Sequence, residues 1–294
     1  MIKYDLNSWM RLLPDDLPLY ELCLCGTHDC VTKNIAFSHF LCCQSMSIAS
    51  QLSLGVRALD IRVRPVGRRL LMVHGAVCAR TDSGEKMDMA DVLAQCYAFL
   101  RKNPGECIVF QFKDDAGRDY EQAFANLYYT YISDHAEMWF LENRVPRLGE
   151  ARGKIVLIRR CKKDASDQNL TDANSGLDFS RWVEQDTAEP QPLPLECGNG
   201  VRFLVQDRYK YKPQPRWHDC IRPFLDAARP FGGTYVINYL STAGGLKGPR
   251  KNAEIINHQF LQYSLDPEKY YGTVYVDFPT EALVRKLIDR NFCF

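Results

Sequence analysis

Two histidines of this sequence follow apolar runs, and one of them stands beside a carboxylate. His28 and Asp29 come after the run LYELCL (19–24), and His74 comes directly after the run LLMV (70–73). An imidazole takes up or releases a proton near neutral pH, and a nearby carboxylate fixes its tautomer and raises its basicity. A turn or a core histidine explains each residue taken alone. Their significance therefore depends on the charged residues that accompany them.

Charged residues also lie inside or at the ends of other apolar runs. Asp60 and Arg62 lie inside ALDIRVR, and Asp277 lies inside TVYVDF. An unpaired ion within a strand is costly to bury, so these carboxylates require partners, and we expect the two histidines and Arg62 to supply them. Four further polar side chains end or follow runs of the same kind: Lys113, Arg160, Asp207 and Tyr209.

Two imidazoles, their carboxylates and an arginine suit the cleavage of a phosphodiester. Attack of a hydroxyl on phosphorus needs a base for the nucleophile, an acid for the leaving alkoxide and a fixed cation for the phosphate oxygens. Histidine serves as either the base or the acid, and the guanidinium supplies the cation. Such a site works without a metal ion.

Apolar runs predict the strands that must position these side chains, at 19–24, 58–64, 70–73, 107–113, 154–160, 202–207, 234–240 and 273–278. Helical patterns cover 45–54, 88–103 and 281–290, and Asp88 is a suitable N-cap for the second of them. The alternation of strands and helices favours a mainly parallel sheet, either closed as a barrel or open and doubly wound.

Two connections depart from a regular alternation. Only residues 65–69 separate the second and third runs, which is too short for a parallel crossover, so these runs should pair as a hairpin and make any barrel irregular. The segment 161–200 is rich in Asp, Asn, Gly and Pro. We expect it to form either the rim of a site or a surface excursion.

Composition excludes several classes of protein. The 294 residues contain 37 Lys and Arg against 36 Asp and Glu, so no global field attracts nucleic acid. No apolar stretch reaches the ~18 residues of a membrane span, and the acidic start does not resemble a secretory signal. The 12 cysteines, which lack paired zinc spacing, suggest reduced thiols and a cytoplasmic location. Secretion is the alternative if a leader was removed.

Seven stretches together resemble bacterial phosphatidylinositol-specific phospholipase C, the X-domain type of catalytic barrel. They occur in the family's order and are GTHD (26–29), GVRALDIRVR (55–64), LLMVHG (70–75), FLRKNPGECIVFQFK (99–113), ARGKIVLIRR (151–160), VQDRYK (205–210) and VYVDF (274–278). The resemblance implies an α/β fold, an irregular TIM-type β/α barrel that forms a single domain over residues 1–294. It also implies cleavage of phosphatidylinositol to diacylglycerol and inositol 1,2-cyclic phosphate, with slow hydrolysis to inositol 1-phosphate.

The resemblance also assigns roles to matching positions. It implies that His28 is the general base on the inositol 2-hydroxyl, held by Asp277, and that His74 is the general acid, supported by Asp29. It implies that a guanidinium binds the phosphate where eukaryotic relatives have calcium ligands, so no cofactor is expected. This guanidinium is that of Arg62, and Asp60 helps to organise it. The positions implied to bind the inositol ring are Lys113, Arg160, Asp207 and Tyr209.

The implied partner is an inositol phospholipid at a membrane surface, bound by a monomer. The aromatic membrane anchor of the family is missing from the segment LKGPRKN, whose cations Lys247, Arg250 and Lys251 are expected to approach anionic headgroups. Apolar insertion would then come from Phe37, Phe40 and Leu41. The cysteines that flank the proposed base, Cys25 and Cys30, suggest that oxidation or a thiol-bound metal inactivates the site.

Two alternatives compete with this interpretation. A barrel similar to glycerophosphodiesterases or sphingomyelinases D also uses two histidines, but it has a Glu-x-Asp metal pair where this sequence has Asp60-Ile61-Arg62. The second alternative is a catalytically silent barrel that binds inositol lipids. The presence of both histidines and both carboxylates argues against it.

Overall fold

Continuously apolar runs form the strands of one sheet in the computed structural model, which describes residues 3–115, 120–183, 185, 193–196, 200–228 and 233–293. Within these residues there are twelve strands: β1 Leu24–Thr27, β2 Ala58–Val66, β3 Arg69–His74, β4 Val77–Cys78, β5 Ile108–Asp114, β6 Trp139–Phe140, β7 Ile155–Arg159, β8 Leu177–Asp178, β9 Leu193–Glu196, β10 Arg202–Gln206, β11 Thr234–Tyr239 and β12 Thr273–Val276.

Helices connect these strands and cover the outside of the sheet. The α-helices of the described residues are α1 Ser38–Leu41, α2 Ile48–Ser53, α3 Met89–Lys102, α4 Tyr120–Asn126, α5 Leu148–Ala151, α6 Pro213–Pro215, α7 Arg222–Asp226, α8 Gly248–Gln262 and α9 Glu281–Ile288. Two π-helical stretches follow α4 and α6, at Leu127–Ile132 and Arg216–Ile221. Short 3-10 helices lie at Met10–Leu12, Leu19–Glu21, Ser133–Met138 and Asp289–Phe292.

The strand order is β6-β7-β5-β2-β1-β12-β11-β10-β9, and the strands from β6 to β10 are parallel to their neighbours. Gln111 on β5 donates a hydrogen bond to the hydroxyl of Tyr239 on β11. Three strands separate β5 from β11 along the sheet, so the sheet must curl for these side chains to meet. The prediction of an irregular α/β barrel is therefore confirmed, and among the described residues no pairing joins β9 to β6 to close it.

The predicted hairpin is also present. Strand β3 runs antiparallel to β2, with Val63 opposite Met72. Strand β2 continues for four residues beyond Arg62, and β3 then runs back beside it. In this antiparallel register His74 lies within one residue of the position opposite Arg62. The hairpin that makes the barrel irregular thus delivers the second histidine to the same place as the arginine.

Helix α3 is positioned by signals that are visible in the sequence. The Asp88 side chain accepts from the backbone N–H of Ala90 at 3.0 Å, and the Asp91 carboxylate accepts from the backbone of Asp88 at 2.8 Å, which forms a capping box. Its apolar face, which includes Val92, Cys96 and Leu100, is buried in the core. The predicted helix over 88–103 is therefore confirmed to within a residue at each end.

Other boundaries differ from those expected. The run 19–24 supplies a 3-10 helix at Leu19–Glu21, and the strand begins only at Leu24, where pairing with Thr273 on β12 becomes available. The segment LKGPRKN, expected as a loop, mostly forms the first turn of α8. The segment 161–200 contributes β8 and β9, but residues 184, 186–192 and 197–199 lie outside the described residues.

Two further expectations concern membranes and thiols. Within the described ranges, no helix combines the length and apolar character that crossing a bilayer requires. Every cysteine in the part of the chain that the structure describes is a free thiol, and most of them are buried. The expectation that most of the thiols are buried is confirmed for these residues.

Candidate active site

One cavity of about 420 Å³ brings the predicted site residues together at the carboxyl ends of the parallel strands. The predicted residues that line it are His28, Arg62, His74, Lys113, Arg160, Asp207, Tyr209 and Asp277. The other two, Asp29 and Asp60, are buried behind this lining and contact Arg62. A larger, mainly apolar cavity of about 650 Å³ lies against β10 and β11 and contains none of the predicted residues.

His28 is placed by the end of β1. Gly26 lies so close to the Tyr275 ring that a Cβ added there would stand 2.6 Å from the Tyr275 Cδ1, so a larger residue would displace the strand. The backbone just beyond β1 is held in place because the His28 N–H donates to the Val276 carbonyl at 3.1 Å. The glycine of GTHD therefore lets β1 approach β12 closely enough to bring His28 to Asp277.

The protonation state of His28 is controlled by two carboxylates. Its Nδ1 lies 2.8 Å from the Asp277 Oδ1, and its Nε2 lies 3.3 Å from the Asp29 Oδ2. Burial lowers the pKa of His28, but the Asp277 and Asp29 carboxylates outweigh burial and raise it from 6.5 to about 9. Because the Asp277 carboxylate accepts from Nδ1–H, the lone pair of the neutral ring is assigned to Nε2, which faces Asp29.

His74 faces the same carboxylate from the other side. Its Nε2 lies 3.5 Å from the Asp29 Oδ2, and its ring centroid lies 6.5 Å from that of His28. Its Nδ1 lies 2.9 Å from the Leu41 carbonyl oxygen, which can only accept, so Nδ1 carries a proton. The proton that His74 can release is therefore the one on Nε2, which points towards Asp29.

The Arg62 guanidinium is surrounded by carboxylates. Its Nε lies 3.2 Å from the Asp29 Oδ1, its Nη2 lies 3.0 Å from the Asp60 Oδ2, and its Nη1 lies 3.7 Å from the Asp115 Oδ1. Burial lowers the pKa of Arg62, but these carboxylates outweigh burial and raise the pKa well above its usual value. Burial alone would raise the pKa of Asp60, yet the adjacent Arg62 holds it below 3.8. A fixed positive charge therefore lines the cavity at every ordinary pH.

The remaining predicted residues, Lys113, Arg160, Asp207 and Tyr209, also line the cavity. The Lys113 Nζ lies 3.1 Å from the Asp115 Oδ1. The Arg160 guanidinium carbon stands 3.8 Å from the Trp182 ring centroid, and its Nη1 donates no hydrogen bond within the described residues. Burial raises the pKa of Asp207 to about 6, although Arg216 and Arg160 oppose the rise. These cations and this carboxylate can bind several hydroxyl groups of one polar ring.

Three contributors to the site were missed by sequence reasoning. Asp115 accepts from the Gly75 N–H at 2.5 Å and thereby ties the turn after His74 to Arg62. Its only signal in the sequence was its place two residues after the apolar run that ends at Lys113. The Leu41 carbonyl and the Cys43 thiol carried no such signal, because both come from a segment that reaches the cavity only after folding.

The cysteines expected to flank the base do not line the cavity. Cys25 and Cys30 are fully buried, and the Cys25 thiol donates to the Gly26 carbonyl. Cys43, fifteen positions beyond His28 in the sequence, is the cysteine that reaches the cavity wall. The reason is the strand alternation in β1, which points Cys25 away from the site.

The part of the chain that supplies most of these site residues matches a known protein family. The model of the family described as phosphatidylinositol-specific phospholipase C, X domain, matches residues 29–161. Residues 29–161 are therefore similar to that X domain. The match includes the segment from Asp29 through Arg62, His74 and Lys113 to Arg160. The resemblance expected from the sequence motifs is thus confirmed.

The curated relatives of this chain agree with the family match. It is 26% identical over 302 residues to a 1-phosphatidylinositol phosphodiesterase of Listeria monocytogenes, an alignment that covers 97% of this chain and 85% of the relative. It is 27% identical over 252 residues to a Staphylococcus aureus protein of the same name, which covers 81% of this chain and 76% of the relative.

Solved structures of similar proteins share the fold. A phosphatidylinositol-specific phospholipase C from Staphylococcus aureus, solved in work on its membrane binding, has a TM-score of 0.82 at 23% identity and covers 98% of both chains. The Listeria monocytogenes phospholipase has a TM-score of 0.77 at 22% identity and covers 98% of this chain and 99% of its own. These likenesses show that nearly the whole chain has the fold of these proteins.

Proposed function

We propose that this chain cleaves phosphatidylinositol by attack of the inositol 2-hydroxyl on phosphorus, which gives diacylglycerol and inositol 1,2-cyclic phosphate. The observation that carries the proposal is a pair of imidazoles 6.5 Å apart on one cavity, both next to Asp29, with the Arg62 guanidinium beside the same carboxylate. The X-domain match and the names of the curated relatives support the substrate class.

His28 acts as the general base. Its Nε2 carries the lone pair, because Asp277 engages Nδ1–H, and Nε2 faces the cavity side of Asp29. As the 2-hydroxyl attacks, its proton moves to this nitrogen and the imidazolium that forms is stabilised by the two carboxylates. The raised pKa of His28 makes it a strong proton acceptor once it is neutral.

His74 acts as the general acid. The bond between phosphorus and the diacylglycerol oxygen breaks, and that oxygen takes the proton from the His74 Nε2. The Asp29 Oδ2 lies 3.5 Å from this nitrogen, and the Leu41 carbonyl keeps the ring oriented through Nδ1. In the slower second reaction the roles reverse, since water then attacks and the 2-oxygen leaves.

Arg62 takes the place that a divalent cation would have in a metal-dependent phosphodiesterase. Its guanidinium is held by Asp60 and Asp29 and is directed at the cavity, where it can bind both non-bridging phosphate oxygens. Charge that develops on these oxygens in the transition state is therefore met by a donor already in position. Lys113, Arg160, Asp207 and Tyr209 hold the inositol ring.

The direct test is product analysis with phosphatidylinositol vesicles. We expect a phosphorus resonance of inositol 1,2-cyclic phosphate to appear first and inositol 1-phosphate to follow, and we expect a chelator not to lower the rate. Loss of the rate on chelation, with no cyclic product, would support the glycerophosphodiesterase-like alternative. Binding of the vesicles with no turnover under any condition would support the catalytically silent barrel.

The pH dependence of the reaction should report the base. Since the pKa of His28 is about 9 and the base must be neutral, kcat/KM should rise with pH through a limb well above 6.5. In Asp277→Asn one of the two carboxylates that raise this pKa is lost, so the limb should move to lower pH and the maximal rate should fall. The pH profile with a short-chain phosphatidylinositol that dissolves as monomers measures both changes, because His28 is the base in that first reaction and membrane binding does not interfere.

The matched control for this shift is Asp82→Asn. Asp82 is an exposed carboxylate that pairs with Lys33 and makes no contact with His28 among the described residues. Its loss should leave the limb unmoved. A limb that stays in place in Asp277→Asn as well would contradict the assignment of His28 as the titrating base.

An apolar rim beside the cavity suits contact with the membrane surface. It consists of Phe37, Phe40 and Leu246, of which Phe37 is 74% and Leu246 is 87% exposed. The His39 Nε2 lies 3.3 Å from the Leu246 carbonyl oxygen, so α1 and the segment before α8 are in contact. Leu41, which was expected to insert into the membrane with Phe37 and Phe40, is half-buried, and its carbonyl orients His74. Leu246 was not expected.

Removal of this rim should weaken binding to vesicles. Large apolar side chains gain about 1.5–3 kcal/mol each on full burial, so the double variant Phe37→Ser with Leu246→Ser should lose at least about tenfold in vesicle partitioning. Sedimentation with vesicles measures the loss, and turnover of vesicle substrate should fall more than turnover of soluble cyclic phosphate. Leu12→Ser, an exposed apolar residue outside the rim, is the control. Equal losses in both variants would contradict a docking role.

A further inference from the structure

We propose that the candidate active site also binds a thiophilic divalent metal ion such as Zn²⁺ through His28, Asp29 and Cys43, and that this ion inhibits the enzyme. The inhibition rests on the function proposed above, whereas the binding of the ion rests on the arrangement of the three side chains. The ion is a reversible inhibitor and has no part in the reaction itself.

The three residues offer the ligand set of a zinc site. One ligand atom from each of them, an imidazole nitrogen, a carboxylate oxygen and a thiol sulfur, lies within 4.8 Å of the others. Nitrogen, oxygen and sulfur in this combination suit Zn²⁺, which takes four ligands at about 2.0–2.3 Å in a tetrahedron. Both His28 and Cys43 line the cavity, so an ion in solution can reach the site.

The imidazole of His28 is already arranged as a metal ligand. Its Nδ1 is engaged with Asp277 at 2.8 Å, which leaves Nε2 as the donor nitrogen. A carboxylate on the remote nitrogen of a metal-binding histidine fixes the tautomer and raises the basicity of the ligand. The Nε2 of His28 lies 3.3 Å from the Asp29 Oδ2, which is about the separation of two ligands on one tetrahedral edge.

Asp29 provides an independent sign that the site is incomplete. Asp29 is 1% exposed, and neither of its carboxylate oxygens accepts a hydrogen bond within the described residues. Its contacts are ion pairs with His28, His74 and Arg62. A buried carboxylate in this state gains a strong partner when a cation binds, and water or the His74 Nε2 can complete the tetrahedron.

Arg62 sets a limit on how tightly the ion is held. Its guanidinium lies 3.2 Å from the Asp29 Oδ1, so it repels a cation that binds the same carboxylate. This repulsion favours an ion that dissociates readily over a resident structural metal. On binding, the Cys43 thiol gives its proton to solvent as the metal–sulfur bond forms. The ion also occupies the nitrogen that would accept the proton of the inositol 2-hydroxyl, so catalysis stops.

The test combines a spectroscopic readout with inhibition. Co²⁺ added to the metal-free protein should give a sulfur-to-cobalt charge-transfer band, and Zn²⁺ should remove that band by displacement. Zn²⁺ should also inhibit cleavage, with recovery on addition of a chelator. In Cys43→Ser the band should vanish, and the Zn²⁺ concentration for half-inhibition, measured against that variant's own metal-free rate, should rise at least about tenfold.

Two further variants separate the possible causes. Cys42→Ser alters the adjacent thiol, which donates to the Gln44 carbonyl, and should retain the band and the inhibition. His28→Ala should lose the band by removing the nitrogen ligand. A band that persists in Cys43→Ser, or no band in the unaltered protein, would overturn the proposal. A band without any lipid cleavage would uphold the metal site and reject the proposed function instead.

Discussion

His28→Ala and His74→Ala should each lower the rate of phosphatidylinositol cleavage by a factor of about 10²–10⁴, the usual contribution of a positioned acid or base. Each ring meets the cavity through one nitrogen and is oriented through the other, His28 by Asp277 and His74 by the Leu41 carbonyl. No other imidazole lines the cavity among the described residues, so none can substitute. The measurement is the initial rate of cyclic phosphate release.

The leaving group distinguishes the two roles. A substrate whose leaving group is an activated phenol needs no proton from the enzyme, so His74→Ala should recover most of its rate with such a substrate, whereas His28→Ala should not. His135→Ala serves as the control, because His135 is exposed and packs on Tyr97 instead of lining the cavity. Recovery by both variants, or by neither, would refute the assignment of base and acid.

Arg62→Lys should cause a loss of similar size, about 10²–10³ in kcat, although it conserves the charge. An ammonium cannot donate to both phosphate oxygens and to Asp60 in the fixed geometry of a guanidinium. We expect the loss mainly in kcat, since the guanidinium is most effective on charge that develops in the transition state. Steady-state kinetics at saturating substrate measure this directly.

Arg64→Lys is the matched control for this substitution. Arg64 lies two residues further along β2 and binds the Ala76 carbonyl and the Cys78 sulfur, outside the cavity. Because Arg62 neutralises buried carboxylates, thermal unfolding of both variants should be recorded alongside the kinetics. Near-normal kcat in a folded Arg62→Lys protein would contradict the phosphate-binding role.

The ten predicted site residues could be located from the sequence because most of them stand at the ends of strands. Parallel strands in a barrel direct their carboxyl ends to one side, so a polar residue such as Lys113 or Asp207 that ends an apolar run is placed there by the run itself. Charge inside a strand was equally informative. Asp60 and Asp277 needed buried partners, and the structure supplies Arg62 and His28.

Residues whose role depends on long-range packing were harder to predict from the sequence. Asp115 reaches Arg62 and Gly75 from the end of β5, and Leu41 turns a carbonyl to His74 from a short helix without any polar side chain in the site. Neither contact leaves a local pattern in the sequence. The start of β1 was placed too early for the same reason, since Leu19–Glu21 forms a 3-10 helix and pairs with no strand among the described residues.

Local patterns in the chain were enough to predict eight of the twelve strands, the hairpin, the capped helix α3 and the polar residues that gather around one cavity. Short-range patterns encode these features, because side-chain periodicity and turn length act over a few residues. The curl of the sheet, the sharing of Asp29 by two imidazoles and the arrival of Cys43 beside His28 follow from packing between distant segments. Such contacts depend on the relative positions of whole elements, which no single stretch of sequence specifies.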